Sequence, residues 1–272
     1  MNEQMNIFQV MYPRFKISNK IRLIELFAGI GSQAMALRDL GVSFEHYRVV
    51  EFDKNAIASY NAIHRTDFSP MDITRVHAND LDIKNLDIFT YIMTYSFPCQ
   101  DLSLAGNKKG MKKGSGTRSG LLWEVERILD EILAGEAGLP QVLLMENVPQ
   151  ILNSRNIEDF RSWQNKLESL GYKNYTQVLN AKDYGVPQNR KRCFMVSILG
   201  NYWFEFPHST VLKIHLRDLL EDNVPEKYYL SESAIKTFTD SSDRGGVYSC
   251  QTFPSAESGI TRLCLRDNNQ VR

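Results

Sequence analysis

Long apolar runs are missing from this 272-residue sequence. None approaches the ~18 residues needed to cross a bilayer, so no membrane partner is expected. The N-terminus, MNEQMNIFQV, has no basic region leading into an apolar run and so lacks the pattern of a signal peptide. Cysteine is scarce, with four at positions 99, 193, 250 and 264 and no CxxC spacing. That scarcity excludes a disulfide scaffold and predicts reduced thiols in a cytoplasmic protein; no metal requirement is expected either. Net charge is missing too: 32 basic residues balance 32 acidic ones. A nucleic-acid partner therefore cannot be argued from overall charge, although a local basic face suffices for phosphate contacts. No internal repeat is visible.

What is present suits a folded enzyme-sized domain, with 43% hydrophobic and 24% charged residues. From Ile21 the chain alternates strand and helix patterns. IRLIELF, YRVVEF, LDIFTYIMTYSFP, QVLLMEN and RCFMVSIL are strand candidates, and KNYTQVLN is β-rich. QAMALRDLG, DKNAIASYNAIH, LLWEVERILDEILAG and FRSWQNKLESLG are helical in period. Strands with little polar alternation, separated by helices, predict a mainly parallel sheet covered on both faces. Near Trp203 the character changes to turn-rich segments such as SSDRGG, FPSAESG and LRDNNQ. We expect one domain over 1–204 and a smaller, irregular region over 205–272.

ELFAGIG puts Phe27, Ala28, Gly29, Ile30 and Gly31 between a strand and a helix. Glycines there let the backbone approach a ligand and leave the helix N-terminus facing it. Glu51 ends the next strand about 20 residues on, where a carboxylate can accept from both ribose hydroxyls. The neighbouring Asp53 has the simpler alternative of capping the following helix. Asp80, in HANDLDI, is expected near the end of a third strand as an acceptor for an adenine amino group, with Asp82 competing for that role. Together these features predict an adenosine-containing cofactor at the carboxyl ends of the strands.

SFPCQDLS places Cys99 after Pro98, at the top of a strand rather than within it. Glu146 ends QVLLMEN in a parallel position, and a glutamate after an apolar run requires either exposure or partners. In QNRKR, Arg190 and Arg192 are two apart and share a direction if the strand has begun. Lys108, Lys109, Lys112, Lys113 and Arg118 fall in one glycine-containing stretch without an acid. Such a stretch can gain from phosphate neutralisation, while an ordinary solvated basic loop is the competing reading.

In this order, ELFAGIG, EFD, SFPCQDLS, MENV and QNRKRCFMV resemble the motif series of cytosine-C5 DNA methyltransferases, from Arg22 through Leu199. The resemblance implies an α/β fold: the Rossmann-like sheet of S-adenosylmethionine-dependent methyltransferases, with a partial, irregular target-recognition region. It implies S-adenosyl-L-methionine as cofactor and double-stranded DNA as substrate. It makes Cys99 the nucleophile, Glu146 the acid at the cytosine N3 and amino group, and Arg192 the contact to cytosine O2. Pro98, Gln100, Asn147 and Arg190 take supporting places. Phe27, Ala28, Gly29, Ile30, Gly31, Glu51, Phe52 and Asp80 lie on the cofactor side. Gln100 to Arg118 matches a loop that closes over DNA, with Ser103, Lys108, Lys109, Lys112, Lys113 and Arg118 toward the nucleic acid.

Two departures stand out within the motifs: Glu25 replaces the usual aspartate, and Ser32 a common glycine. No copy of the family's later motifs is recognisable after QNRKRCFMV. Three explanations follow: a second polypeptide supplying recognition and sheet-closing elements, a truncated member of the family, or terminal motifs too altered to recognise, with a missing or separately encoded complement favoured. RNA cytosine methylation and a nonenzymatic DNA-binding or regulatory role are the alternative functions.

Overall fold

The computed structural model describes residues 12–102, 110–135 and 138–234, together with the backbone of two later strands. The chain divides into two compact units, Met1–Val178 with Arg192–Pro207 and Leu179–Lys191 with His208–Arg272. The second unit takes up the chain after Pro207 and also includes residues 179–191. Sequence pattern did not reveal that excursion, because chain adjacency says nothing about which body a loop packs on.

Six strands build the main sheet: β1 (Lys20–Leu26), β2 (Phe44–Val50), β3 (Phe89–Tyr95), β4 (Val142–Asn147), β5 (Tyr172–Asn180) and β6 (Lys191–Leu199). Their order is β2-β1-β3-β4-β6-β5. β1 pairs in parallel with β2 and β3, and β3 with β4, whereas β6 runs antiparallel to β4. The chain leaves β1 toward β2 on one side and later fills β3 on the other. Loops after β1 and β3 therefore diverge at the carboxyl ends of the strands, the topological switch point at which open α/β sheets usually bind ligands.

Among the described residues five α-helices accompany these strands: α1 (Ser32–Asp39), α2 (Lys54–His64), α3 (Ala78–Leu81), α4 (Leu122–Ala134) and α5 (Ile157–Ser169). α4 buries Leu122, Val125, Ile128, Leu129 and Ile132, the stripe its helical period predicts. Trp163 of α5 is fully buried, and its indole N–H donates to the Tyr95 hydroxyl at 3.0 Å. The rings of Tyr95 and Trp163 meet edge to face at 5.9 Å, which fixes the end of β3 against the helical layer.

Two expectations need correction. No strand lies between α2 and β3, so Asp80 is not near the end of a third strand. HANDLDI instead forms the single turn α3, held by a reciprocal cap between His77 and Asp80. The region after residue 205 is not wholly irregular either. β7 (Tyr248–Pro254) and β8 (Thr261–Asp267) form an antiparallel ribbon, in register from Tyr248↔Asp267 to Pro254↔Thr261. The turn-rich sequence around them masked two short strand patterns.

Candidate active site

The turn after β1 is held by backbone strain and by its neighbour strand. Phe27 has φ 58°, uncommon for a residue with a side chain, and Gly29 and Gly31 follow at 56° and 80°. The Ala28 N–H donates to the Val50 carbonyl at 3.2 Å. Glu51, the next residue, accepts from the Gly29 N–H at 3.0 Å and from the Asp53 N–H at 2.9 Å. Each carboxylate oxygen thus has one fixed backbone donor and still keeps acceptor capacity. Asp53 caps α2, accepting from the Asn55 and Ala56 N–H groups. Ile30 and Phe52 are exposed, Phe52 at 73%, so the glycine turn and Glu51 are flanked by uncovered apolar surface.

Beneath this turn lies a polar chain that the sequence reading did not foresee. Glu25 is 1% exposed and accepts from the Tyr60 hydroxyl at 2.6 Å and from the Ala34 N–H at 3.4 Å. His46 Nδ1 lies 2.7 Å from the same hydroxyl, and His64 Nε2 lies 3.1 Å from the Ile30 carbonyl. Burial raises the Glu25 carboxyl from 4.5 to about 7, against the opposing pull of Tyr60 and Ala34. Burial, and then the facing Glu25, push the Tyr60 hydroxyl upward. A β-carbon on Gly31 would stand 2.4 Å from His64 Nε2 and 2.5 Å from the Tyr60 ring. Only glycine fits there.

At the end of β3, Tyr95 pairs with Met145 of β4. The next residue of β4, Glu146, and the residues leading to Cys99 therefore leave neighbouring parallel strands in the same direction. Asn147 is 2% exposed, and its amide donates to the Phe97 carbonyl at 3.0 Å. The Ser119 hydroxyl donates to the Pro98 carbonyl at 2.7 Å. Two successive carbonyls ahead of Cys99 are thus tethered. Glu146 Oε1 and Arg192 Nε form an ion pair at 2.9 Å, both side chains about one-fifth exposed (23% and 22%). Arg192 lies on β6, which is antiparallel to β4 at this point; Arg190 precedes the strand and belongs to the second unit.

Cys99 is half-buried and unpaired, whereas Cys193 is wholly buried on β6. Burial, with Glu146 as a lesser contributor, raises the Cys193 thiol to about 12, so it stays protonated and inert.

The basic loop is only partly within the described residues: Ser103, Lys108 and Lys109 lie outside them. Lys112 is exposed. Lys113 pairs with Glu126 of α4 at 2.6 Å and lies 5.4 Å from the Trp123 ring centre. Arg118 donates to the Gln100 side chain at 2.6 Å. Asp80 points its carboxylate at the His77 N–H at 2.8 Å, so its side chain caps α3 instead of ending a strand.

The mostly parallel sheet in the order β2-β1-β3-β4-β6-β5, with a glycine turn after β1 and an acid after the adjoining β2, is a Rossmann-like α/β fold. Solved structures share that fold. Dnmt2 methyltransferase of S. pombe aligns with TM-score 0.64 and 24% identity over 81% of this chain and 67% of that one. A putative DNA modification methyltransferase from an E. coli prophage aligns with TM-score 0.57 and 19% identity over 89% and 62%.

The family profile of the C-5 cytosine-specific DNA methylases matches residues 21–259, and the chain belongs to that family. It is 35% identical to the type II methyltransferase M2.ScrFI of Lactococcus lactis subsp. cremoris, over 79% of this chain and 71% of that protein. It is 36% identical to the orphan methyltransferase M.SssI of Spiroplasma monobiae, over 94% and 84%. The protein is accordingly an enzyme of DNA cytosine-5 methylation whose methyl donor is S-adenosyl-L-methionine. The relatives give no support to a second polypeptide as partner. Among the described residues no helix is long and apolar enough to cross a membrane.

Proposed function

We propose that Cys99 is the nucleophile of this reaction, with Glu146 and Arg192 holding the target base. The observation carrying this reading is that the Glu146–Arg192 pair and the Cys99 segment leave adjacent strands and are joined by the Asn147–Phe97 hydrogen bond. On this reading the glycine turn receives the cofactor: Glu51 accepts from ribose, and Ile30 and Phe52 offer apolar surface to adenine. The residues present fit such a ligand, because the turn's amides and the Glu51 oxygens are fixed before it arrives.

S-adenosyl-L-methionine, when bound, supplies an electrophilic methyl group. Cys99 Sγ, as thiolate, forms a bond to C6 of cytosine, and the C5–C6 double bond opens. The displaced electron density is accommodated at N3, where Glu146 delivers or shares a proton. C5 would then bond to the methyl carbon as that carbon's bond to the sulfonium sulfur breaks, the electron pair staying on sulfur to leave a neutral thioether. Transfer of the C5 proton to water, departure of Cys99 Sγ from C6 as thiolate and return of the N3 proton to Glu146 restore the ring. Arg192 keeps Glu146 oriented and offers N–H donors to the base. A cytosine stacked in a duplex hides its faces, so the base must leave the helix first. Lys112 and Arg118 are placed in this reading as phosphate contacts, and the first and second units as catalytic and target-recognition parts respectively. Asp80 is the weakest cofactor candidate, since its carboxylate is engaged in a cap.

The test is covalent trapping. Duplex DNA containing 5-fluorocytosine, with S-adenosyl-L-methionine, should give a denaturation-resistant adduct mapped to Cys99, because fluorine cannot leave as a proton. An adduct on another residue, or methylation of transfer RNA in preference to duplex DNA, would overturn the assignment.

A further inference from the structure

We infer that Ser119, with Asp101, is a positioning residue for Cys99. This rests on the reading of Cys99 as nucleophile. Ser119 lies at the start of the segment leading into α4, twenty residues beyond Cys99 in sequence, and is 0% exposed. Its hydroxyl donates to the Pro98 carbonyl at 2.7 Å and accepts from the Asp101 N–H at 3.3 Å. The exchange is reciprocal: the Asp101 carboxylate accepts from the Ser119 N–H at 3.2 Å. Asp101 is itself 6% exposed, and its carbonyl accepts from the Gly110 N–H at 3.1 Å. Cys99 sits between the two clamped positions, its own carbonyl accepting from the Leu102 N–H at 3.0 Å.

The Pro98 carbonyl belongs to the peptide plane that carries the Cys99 nitrogen. Peptide planarity means that fixing this oxygen also fixes the direction of the Cys99 N–Cα bond. Proline has no N–H, so the preceding peptide plane offers only its Phe97 carbonyl for anchoring, and Asn147 engages it. Ser119 therefore orients the cysteine from its N-terminal side, and the Asp101 amide restrains it from the other. Direction matters because attack requires the sulfur over one ring carbon, and a displacement near 1 Å can cost about 100-fold in rate.

The experiment compares single-turnover rates on 5-fluorocytosine DNA and ordinary duplex for wild type, Ser119→Ala, Ser119→Thr and Ser119→Cys. Dissociation constants for cofactor and DNA, and melting temperatures, are measured on the same preparations. Ser119→Ala should form the adduct to full stoichiometry but about 10- to 100-fold more slowly, with both dissociation constants within about twofold of wild type. Ser119→Thr, which keeps the hydroxyl, should recover most of the rate. Should Ser119→Ala not fold, Ser119→Cys, a weaker donor, is read in the same way. A native rate in Ser119→Ala, or in Ser119→Cys when only that variant folds, overturns the inference. So does a rate loss that ligand affinity matches and Ser119→Thr fails to restore. Absence of a wild-type adduct at Cys99 would instead refute the nucleophile assignment, so the two failures are distinguishable.

Discussion

The two cysteines among the described side chains show how strongly surroundings decide reactivity. Cys193 is enclosed within the sheet and its thiol is raised to about 12, while Cys99 stands half-exposed beyond a strand end. At pH 8, iodoacetamide should label Cys99 well before Cys193, as followed by site-resolved mass spectrometry; equal labelling would contradict the contrast drawn here. Cys99→Ala should abolish methyl transfer while cofactor affinity, read by calorimetry, stays close to wild type. Glu146→Gln keeps the side-chain size but loses the carboxylate facing Arg192. We expect a fall of about 100-fold or more in the single-turnover rate, with DNA affinity much less affected. A wild-type rate in that variant would remove Glu146 from the mechanism.

Among the elements, the turn between β1 and α1 depends on what lies under it. Gly31 has φ 80°, and any β-carbon would press on Tyr60 and His64 of α2. Gly31→Ala combines left-handed strain of about 1–2 kcal/mol with overpacking of about 1–3 kcal/mol. The expected result is a lower melting temperature together with weakened S-adenosyl-L-methionine binding. Unchanged values for both would mean that α2 gives way easily. The GxG pattern was legible in the sequence; its partner was not. Tyr60 and His64 come from a helix read only as periodic, and no local signal ties them to the glycine turn.

For the molecule as a whole, Glu25 links folding to pH. Its carboxyl is raised by burial to about 7 in the folded chain, against an ordinary 4.5. The folded state therefore binds the proton more tightly than the unfolded chain. The stabilisation linked to this group is fully present below pH 4.5 and is lost as pH rises through 7. Asp72 works in the opposite sense: the Thr74 N–H, and then its hydroxyl, hold the carboxyl below its usual range. That contribution is lost on acidification. Burial, and then His64, lower the neighbouring His46 imidazole, which works against Glu25 in this range, so the Glu25 share is read as a difference: in thermal melting from pH 5 to 8, wild type should lose more stability toward neutrality than Glu25→Gln. An identical pH profile in the variant would show that Glu25 is not its source.

The sequence by itself determined the alternating α/β class, the glycine turn with Glu51, and the motif order that singles out Cys99, Glu146 and Arg192. These were readable because periodicity, turn chemistry and motif spacing are local, and each stretch carries its own signal. Tertiary structure alone decided that Asp80 caps a helical turn, that Lys113 pairs with Glu126, and that 179–191 joins the second unit. It also decided which side chains brace the segment that carries Cys99. Ser119 reaches the Pro98 carbonyl only because the chain returns across the end of β3 before entering α4. The physical reason is range: a hydrogen bond acts over about 3 Å in space, and the partners it joins here are separated along the chain by a loop whose sequence does not fix its path.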